Sequence, residues 1–266
     1  MRRFAIVIIA LAGIACGSGR TGSIKASGTI EATQVSVAAK TGGQILRLMV
    51  DEGGEVKPGD TIALIDHATL DLQLRQAQAG LALARAQLDG DRRDSERNAT
   101  LFASGSATAK QRDDAATRWQ GSRARYDQAA AAADLIRKQI ADCAVTAPAR
   151  GTVTVKAFEA GETVAPGATL VTISQLDRVN LMIYVTEQEL ARIKLGQQAQ
   201  VSIDAFKNRT YAGTVVYVSP AAEFTPKNVQ TTEDRVKQVF GVKLEIANAS
   251  RELKPGLPAD ANVLTQ

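Results

Sequence analysis

One motif occurs twice in this chain, 108 positions apart, and no proline lies between Gly59 and Ala147. Residues 43–65 read GQILRLMVDEGGEVKPGDTIALI, and residues 151–173 read GTVTVKAFEAGETVAPGATLVTI. Aligned without a gap, Gly43 meets Gly151, Gly53 meets Gly161, Val56 meets Val164, Pro58 meets Pro166, Gly59 meets Gly167, and Ile65 meets Ile173. Glycine marks backbone positions that a Cβ would forbid, and Pro-Gly marks a turn. Equal turns at equal offsets predict equal local folds. Each copy holds only about four short strands, too little to bury a core alone. The two copies are therefore expected to pack on each other as one domain, split in sequence by the insert.

The insert reads as helix. Alanine, arginine, glutamine and aspartate dominate a stretch with no proline, which favours helix strongly. Apolar residues recur at Leu70, Leu74, Ala77, Leu81, Ala84 and Leu88, in steps of four and three. A second run follows the same rhythm through Ala115, Trp119, Ser122, Tyr126, Ala129, Ala133, Ile136, Ile140 and Cys143. Such steps make a coiled-coil seam. Between the runs lies Ser104-Gly105-Ser106-Ala107, small and turn-forming. Residues 67–142 are thus expected as an antiparallel coiled-coil hairpin, on the order of 50 Å long at ~1.5 Å per residue. Neither arm carries the ~20 apolar residues that a membrane span needs.

After the second copy, strand-like runs cover 179–185, 199–203, 211–218, 239–246 and 261–264, with a short charged helix at 187–194. Several short strands without a βαβ rhythm argue for a small β-barrel over 177–266. Gly28-Thr29-Ile30-Glu31 reads as a strand joining it, within an N-terminal linker of 16–35. The split domain then takes 36–66 and 143–176. The expected fold class is α+β and elongated, and the 4% aromatic content suits an extended molecule better than one large core.

The N-terminus decides the compartment. Arg2-Arg3 precede an uncharged apolar run to Ala15, of the length of a secretory leader, so residues 1–15 read as a signal peptide. Ala15-Cys16 resembles a bacterial lipoprotein site, which would make Cys16 the lipidated first residue. Gly13 stands where that pattern prefers leucine, and cleavage nearby or an uncleaved anchor also fits. All three fates export the protein. The formal charge of +4 falls to +4 − 2 = +2 without the two leader arginines, and nothing in it suggests nucleic-acid binding. With Cys16 lipidated, Cys143 has no intramolecular partner, so no disulfide framework is expected.

The paired G-x-I/V…G-x-x-V-x-P-G motifs resemble the halves of a biotinyl/lipoyl carrier domain. Carriers keep a modifiable lysine on the turn between the halves; here the hairpin replaces that turn, and no cofactor is expected. A split lipoyl-like domain, a hairpin in the gap and a barrel behind resemble the HlyD-type periplasmic adaptors, or membrane fusion proteins, of tripartite exporters. Further agreement comes from 147–151 (APARG), 223–231 (EFTPKNVQT) and 253–256 (LKPG). The resemblance implies a non-enzymatic subunit of the Gram-negative periplasm, anchored at its N-terminus. It would link an inner-membrane transporter to a TolC-type outer-membrane channel, as a homo-oligomeric ring. Adaptors docking on such channels carry R-x3-L-x6-S at the hairpin tip; Arg97, Leu101 and Thr108 stand at those spacings, with Thr for Ser. The same residues also fit plainer roles: a solvated arginine, a last seam leucine and an N-cap. The segment 222–231 and the chain's end at Gln266, without a long extension after the barrel, look more like adaptors of ABC-type exporters than of RND pumps.

An enzyme is the competing class. The single His67 and the absence of H-E-x-x-H, G-x-S-x-G or a phosphate loop leave no nucleophile–base or metal constellation. Asp113-Asp114 and Glu187/Glu189 are too close in sequence to face one another on a helix, and read as solvated charges. A metal-delivering adaptor would need more than the scattered Met182, His67 and Cys143. No metal is expected.

Overall fold

The computed structural model describes residues 22–206, 209–224 and 238–265. Residues 1–15, Cys16 and most of 222–231 lie outside the described residues. The chain divides into two compact units: Thr33–Gln175, and a second joining the residues up to Ala32 with Leu176–Gln266. The described strands and helices, in chain order, are β1 (Ser23–Ala38), β2 (Gly43–Leu48), β3 (Glu55–Val56), β4 (Thr61–Ile65), α1 (Ala68–Ala103), α2 (Ala109–Cys143), β5 (Ala144–Thr146), β6 (Gly151–Lys156), β7 (Thr163–Val164), β8 (Thr169–Val185), α3 (Glu187–Leu190), β9 (Gln198–Ser202), β10 (Tyr211–Val218), β11 (Glu223–Phe224), β12 (Gln238–Ala247) and β13 (Pro258–Leu264).

In the first unit the two copies of the motif exchange strands. Strand β2 of the first copy pairs with β7 of the second, Gly43 opposite Val164. Strand β3 of the first pairs with β6 of the second, Val56 opposite Gly151. The loop hydrogen bonds repeat the exchange. Gly53 N–H donates to the Val153 carbonyl (2.8 Å), and Gly161 N–H to that of Ile45 (2.7 Å). Gly59 N–H donates to Ala147 (2.9 Å), and Gly167 N–H to Ala39 (2.7 Å). Gly53, Gly59, Gly161 and Gly167 all hold positive φ, between 83° and 97°, where a side chain would be strained. A Cβ on Gly43 or Gly151 would meet Cγ2 of Ile65 or Ile173 at 2.8 or 2.6 Å. The shared core contains Ile45, Val56, Ile62, Ile65, Val153, Val164, Leu170 and Ile173, all buried. Burying such a side chain contributes about 1.5–3 kcal/mol, so both copies are needed to close it.

The insert is two long helices, as the seam required. In α1 the positions Leu70, Leu74, Ala77, Leu81, Ala84 and Leu88 are half-buried, and the helix has no fully buried residue. In α2 Ala115, Ser122, Ala133 and Cys143 are fully buried, and Trp119, Tyr126, Ala129, Ile136 and Ile140 are half-buried between them. Every expected seam residue therefore points inward. At the base, Lys40 lies 3.6 Å from Asp142, which also pairs with Lys138. The Lys138 hydrogen bond is the main cause holding the Asp142 carboxyl below its usual value. Cys143 is buried, with the Thr41 hydroxyl 3.5 Å away.

The second unit is a closed β-barrel. The order β12-β10-β9-β13-β1-β8 returns to its start because β8 also pairs with β12. Closure removes free edges. Inward residues such as Ile24, Leu181, Ile183, Val201, Val215, Val242, Leu244, Ile246 and Val263 fill it. At one point β1 and β8 approach so closely that a Cβ on Gly28 would sit 1.9 Å from the Met182 carbonyl oxygen. Buried Asn248 is fully used: its amide donates to the carbonyls of Leu176 (2.8 Å) and Leu253 (2.9 Å), and its oxygen accepts from Leu253 N–H (3.1 Å). Two expectations shift here. The strand expected at 179–185 is the end of one continuous β8, and the helix expected at 187–194 is the single turn α3.

Candidate docking site at the hairpin tip

The turn between α1 and α2 is fixed by local hydrogen bonds. Gly105 takes φ 76°; its N–H donates to the Phe102 carbonyl (3.0 Å), and Ser106 N–H donates to Leu101 (2.8 Å). That pair of bonds is a Schellman stop, and the left-handed position is why glycine stands there. The next helix starts at once. Thr108 is its N-cap in a reciprocal box: its Oγ1 accepts from Gln111 N–H (3.3 Å), and its N–H donates to Gln111 Oε1 (2.8 Å). The Thr108 hydroxyl also lies 3.1 Å from Gln111 Oε1, so its proton is engaged as well.

All three residues of the tip pattern are exposed. Arg97 is 66% exposed at its side chain, and its nearest acid is Asp94, 3.2 Å away one turn back. Leu101 is 40% exposed and shares a helix face with Arg97, four residues before it. Thr108 caps α2 across the turn. Of the two roles weighed for Thr108, capping is directly visible. Leu101 does not close the seam. Continuing the three–four steps from Leu88 passes through Asp91, Ser95 and Asn98, all half-buried, and arrives at Phe102. The Arg112 guanidinium lies over the Phe102 ring, 4.3 Å from its centroid, a cation–π contact. Phe102 and Arg112 are tip residues that the motif spacing missed; the heptad count alone would have found Phe102. Lys110 pairs with Asp114 at 2.8 Å, and that hydrogen bond raises the ammonium above its ordinary value.

The tip can thus present two adjacent apolar side chains, Leu101 and Phe102, beside two guanidinium groups on a stiff turn. It has no arrangement for bond-making chemistry. His67 meets Asp71 at 2.9 Å at the start of α1, while Met182 belongs to the barrel. Among the described residues no group of three His, Cys, Asp or Glu could hold a metal ion.

A domain model described as the RND MFP barrel-sandwich hybrid domain matches residues 33–175, and one described as a YknX-like beta-barrel matches 181–263. The chain belongs to the membrane fusion protein family, the non-enzymatic periplasmic adaptors that work with inner-membrane transporters and outer-membrane channels. Among its relatives is the UPF0194 membrane protein YbhG of Salmonella gallinarum, 26% identical over 87% of this chain and 86% of the relative. Among solved structures, a MacA-MexA chimeric protein containing the Pseudomonas aeruginosa MexA α-hairpin domain is 25% identical, with a TM-score of 0.72 over 92% of this chain and 82% of the other. The membrane fusion protein Spr0693 of Streptococcus pneumoniae shares the fold at 17% identity, with a TM-score of 0.71 over 91% of this chain and 99% of its own.

Proposed function

We propose that this protein is the periplasmic subunit that joins an inner-membrane exporter to a TolC-type outer-membrane channel, with Arg97, Leu101 and Thr108 as the docking residues. The observation that carries the reading is the tip itself: a stiff turn holding exposed Leu101 and Phe102 beside the Arg97 guanidinium. An arginine fork suits channel carbonyl and carboxylate groups, and a small apolar knob adds contact area. Thr108, its hydroxyl engaged by Gln111, contributes its methyl and the shape of the turn. Copies pack side by side into a ring. Leu72 (59%), Leu83 (74%) and Leu135 (61%) support this, being large apolar residues left open to solvent on the hairpin's outer faces. Leu72 and Leu83 are eleven residues apart, about three turns, and so lie on one side of α1. The N-terminus holds the protein at the inner membrane, through Cys16 if it is lipidated.

The exporter in this reading is ABC-type, on the resemblance of segment 222–231. An RND pump is the second reading, favoured by the description of the domain model that matches 33–175. A photo-crosslinker at exposed Val216 tests the choice: recovery of an RND protein and no ATPase overturns the ABC preference. For docking, Arg97→Asp abolishes capture of the outer-membrane channel while the helical signal stays unchanged. Undiminished capture overturns the tip assignment.

A further inference from the structure

One apolar residue of the barrel unit stands clear of the protein. In the turn 194–197 the Lys194 carbonyl accepts from Gln197 N–H (3.3 Å), and Gly196 takes φ 84°, which suits a type II turn. Leu195, at its first corner, is 67% exposed; the other exposed large apolar residues of this unit, among those described, reach 43–45%. The turn is braced, not loose. Gln197 Oε1 accepts from Lys194 N–H (2.8 Å), its Nε2 donates to the Arg192 carbonyl (3.1 Å), and Gly196 N–H donates to Val215 (2.9 Å).

Cations flank this leucine. Among the described residues Arg192 and Lys194 make no ion pair, and the Arg192 guanidinium donates to Thr265 Oγ1 (2.8 Å). The nearby Glu189 carboxylate accepts from both the N–H and hydroxyl of Thr186, which leaves Glu187 as the open acid of that turn. Arg192, Lys194, Leu195, Leu264 and Thr265 line a shallow groove of about 700 Å³. The incoming chain is pinned beside it: Thr265 N–H donates to the Gly22 carbonyl (2.9 Å), and a Cβ on Gly22 would meet the Arg192 guanidinium at 2.1 Å. Cys16 is six residues before Gly22, a reach of at most about 20 Å in extended chain.

We propose that this corner of the barrel rests on the anionic lipid surface of the membrane that holds the N-terminus. Leu195 enters the boundary between headgroups and acyl chains, and Lys194 and Arg192 face lipid phosphates. Exposed apolar residues flanked by cations are the chemistry that an anionic interface takes up. The inference rests on the N-terminal anchoring proposed above, and the test separates the two. The full chain, purified from membranes, is reconstituted in vesicles of phosphatidylcholine with or without phosphatidylglycerol. Flotation reports anchoring. A nitroxide on Leu195→Cys, read against the parent protein carried through the same labelling, reports depth by its accessibility to oxygen and to a water-soluble nickel chelate.

With phosphatidylglycerol present, the label is reached by oxygen and shielded from the chelate, and a label on Thr29→Cys, exposed at the far end of the β1–β13 pairing from Leu264, stays aqueous. Adding Lys194→Glu weakens insertion about 25-fold, since each cation at such a surface is worth roughly fivefold and the change both removes one and adds an opposing charge. The Lys194 side chain is exposed, so the circular dichroism of that variant is unchanged. A protein that floats while its 195 label stays aqueous overturns the lipid contact and leaves anchoring intact. A label shielded only when a transporter is added also overturns it, making the corner a protein interface. A protein that does not float overturns both.

Discussion

The split domain and the hairpin it carries are built from one stretch of chain, yet they hold together by different means. In the domain, Ile45 and Val153, Ile62 and Leu170, and Ile65 and Ile173 occupy equivalent places in the two copies and are all fully buried. In the hairpin, α1 buries no residue completely, and the four buried in α2 are small: Ala115, Ser122, Ala133 and Cys143. A two-helix layer has only one side to bury, whereas two interlocked sheets enclose a dry interior. The base is therefore stabilised by apolar burial, and the hairpin by helix propensity, its caps and a half-buried seam. What the hairpin lacks in core it leaves as surface, and its apolar outer faces and tip are the regions assigned to partners above.

Substitutions can break that contrast. Ile45→Ala and Ile173→Ala should each destabilise by about 2–5 kcal/mol and by similar amounts, as expected for fully buried isoleucine. Leu81→Ala in the half-buried seam should cost less, under about 2 kcal/mol, since its site is already part-solvated. Urea unfolding followed by far-UV circular dichroism measures both; a seam loss equal to the core loss would remove the distinction. Trp119, the single tryptophan, sits in the seam and reports the hairpin separately by fluorescence. Next in size is the cap. Thr108→Ala should cost about 1 kcal/mol and shift the Trp119 transition, and Thr108→Ser should be within a few tenths.

The smallest effect lies at the junction, where Asp142 meets Lys138 and Lys40. Its carboxyl is held below the ordinary 3.8 in the folded protein, so its contribution is present above that value and lost as pH falls through the folded one. Asp142→Asn should therefore lower the melting temperature slightly at pH 7, with the difference closing under strong acid and under high salt. An unchanged difference at low pH would show the loss to be one of packing.

Much of this architecture was legible beforehand because its signals are local. Positive-φ glycines, Pro-Gly turns and three–four spacing act within a few residues, and they located the two copies and both helices. Signals that act across the chain were harder to read. Nothing around residues 179–185 or 187–194 announces that β8 runs on unbroken from the second copy, or that α3 ends after one turn. The tip was legible in part. Arg97, Leu101 and Thr108 followed from spacing, and the same heptad count carried on from Leu88 reaches Phe102, but the stacking of Arg112 on its ring depends on how two helices meet.

By itself, the sequence determined that a repeated β-unit is interrupted by a helical hairpin and followed by a β-rich domain, since backbone freedom and helical periodicity are encoded residue by residue. Only the tertiary structure decided that the copies exchange strands, with Val56 opposite Gly151 and Gly43 opposite Val164. It alone closed β12 onto β8. It also set Leu195 beside Arg192 and the start of β1. These depend on register and on contacts between distant segments, and such pairings are selected by the burial of the whole unit, which no local run of residues contains.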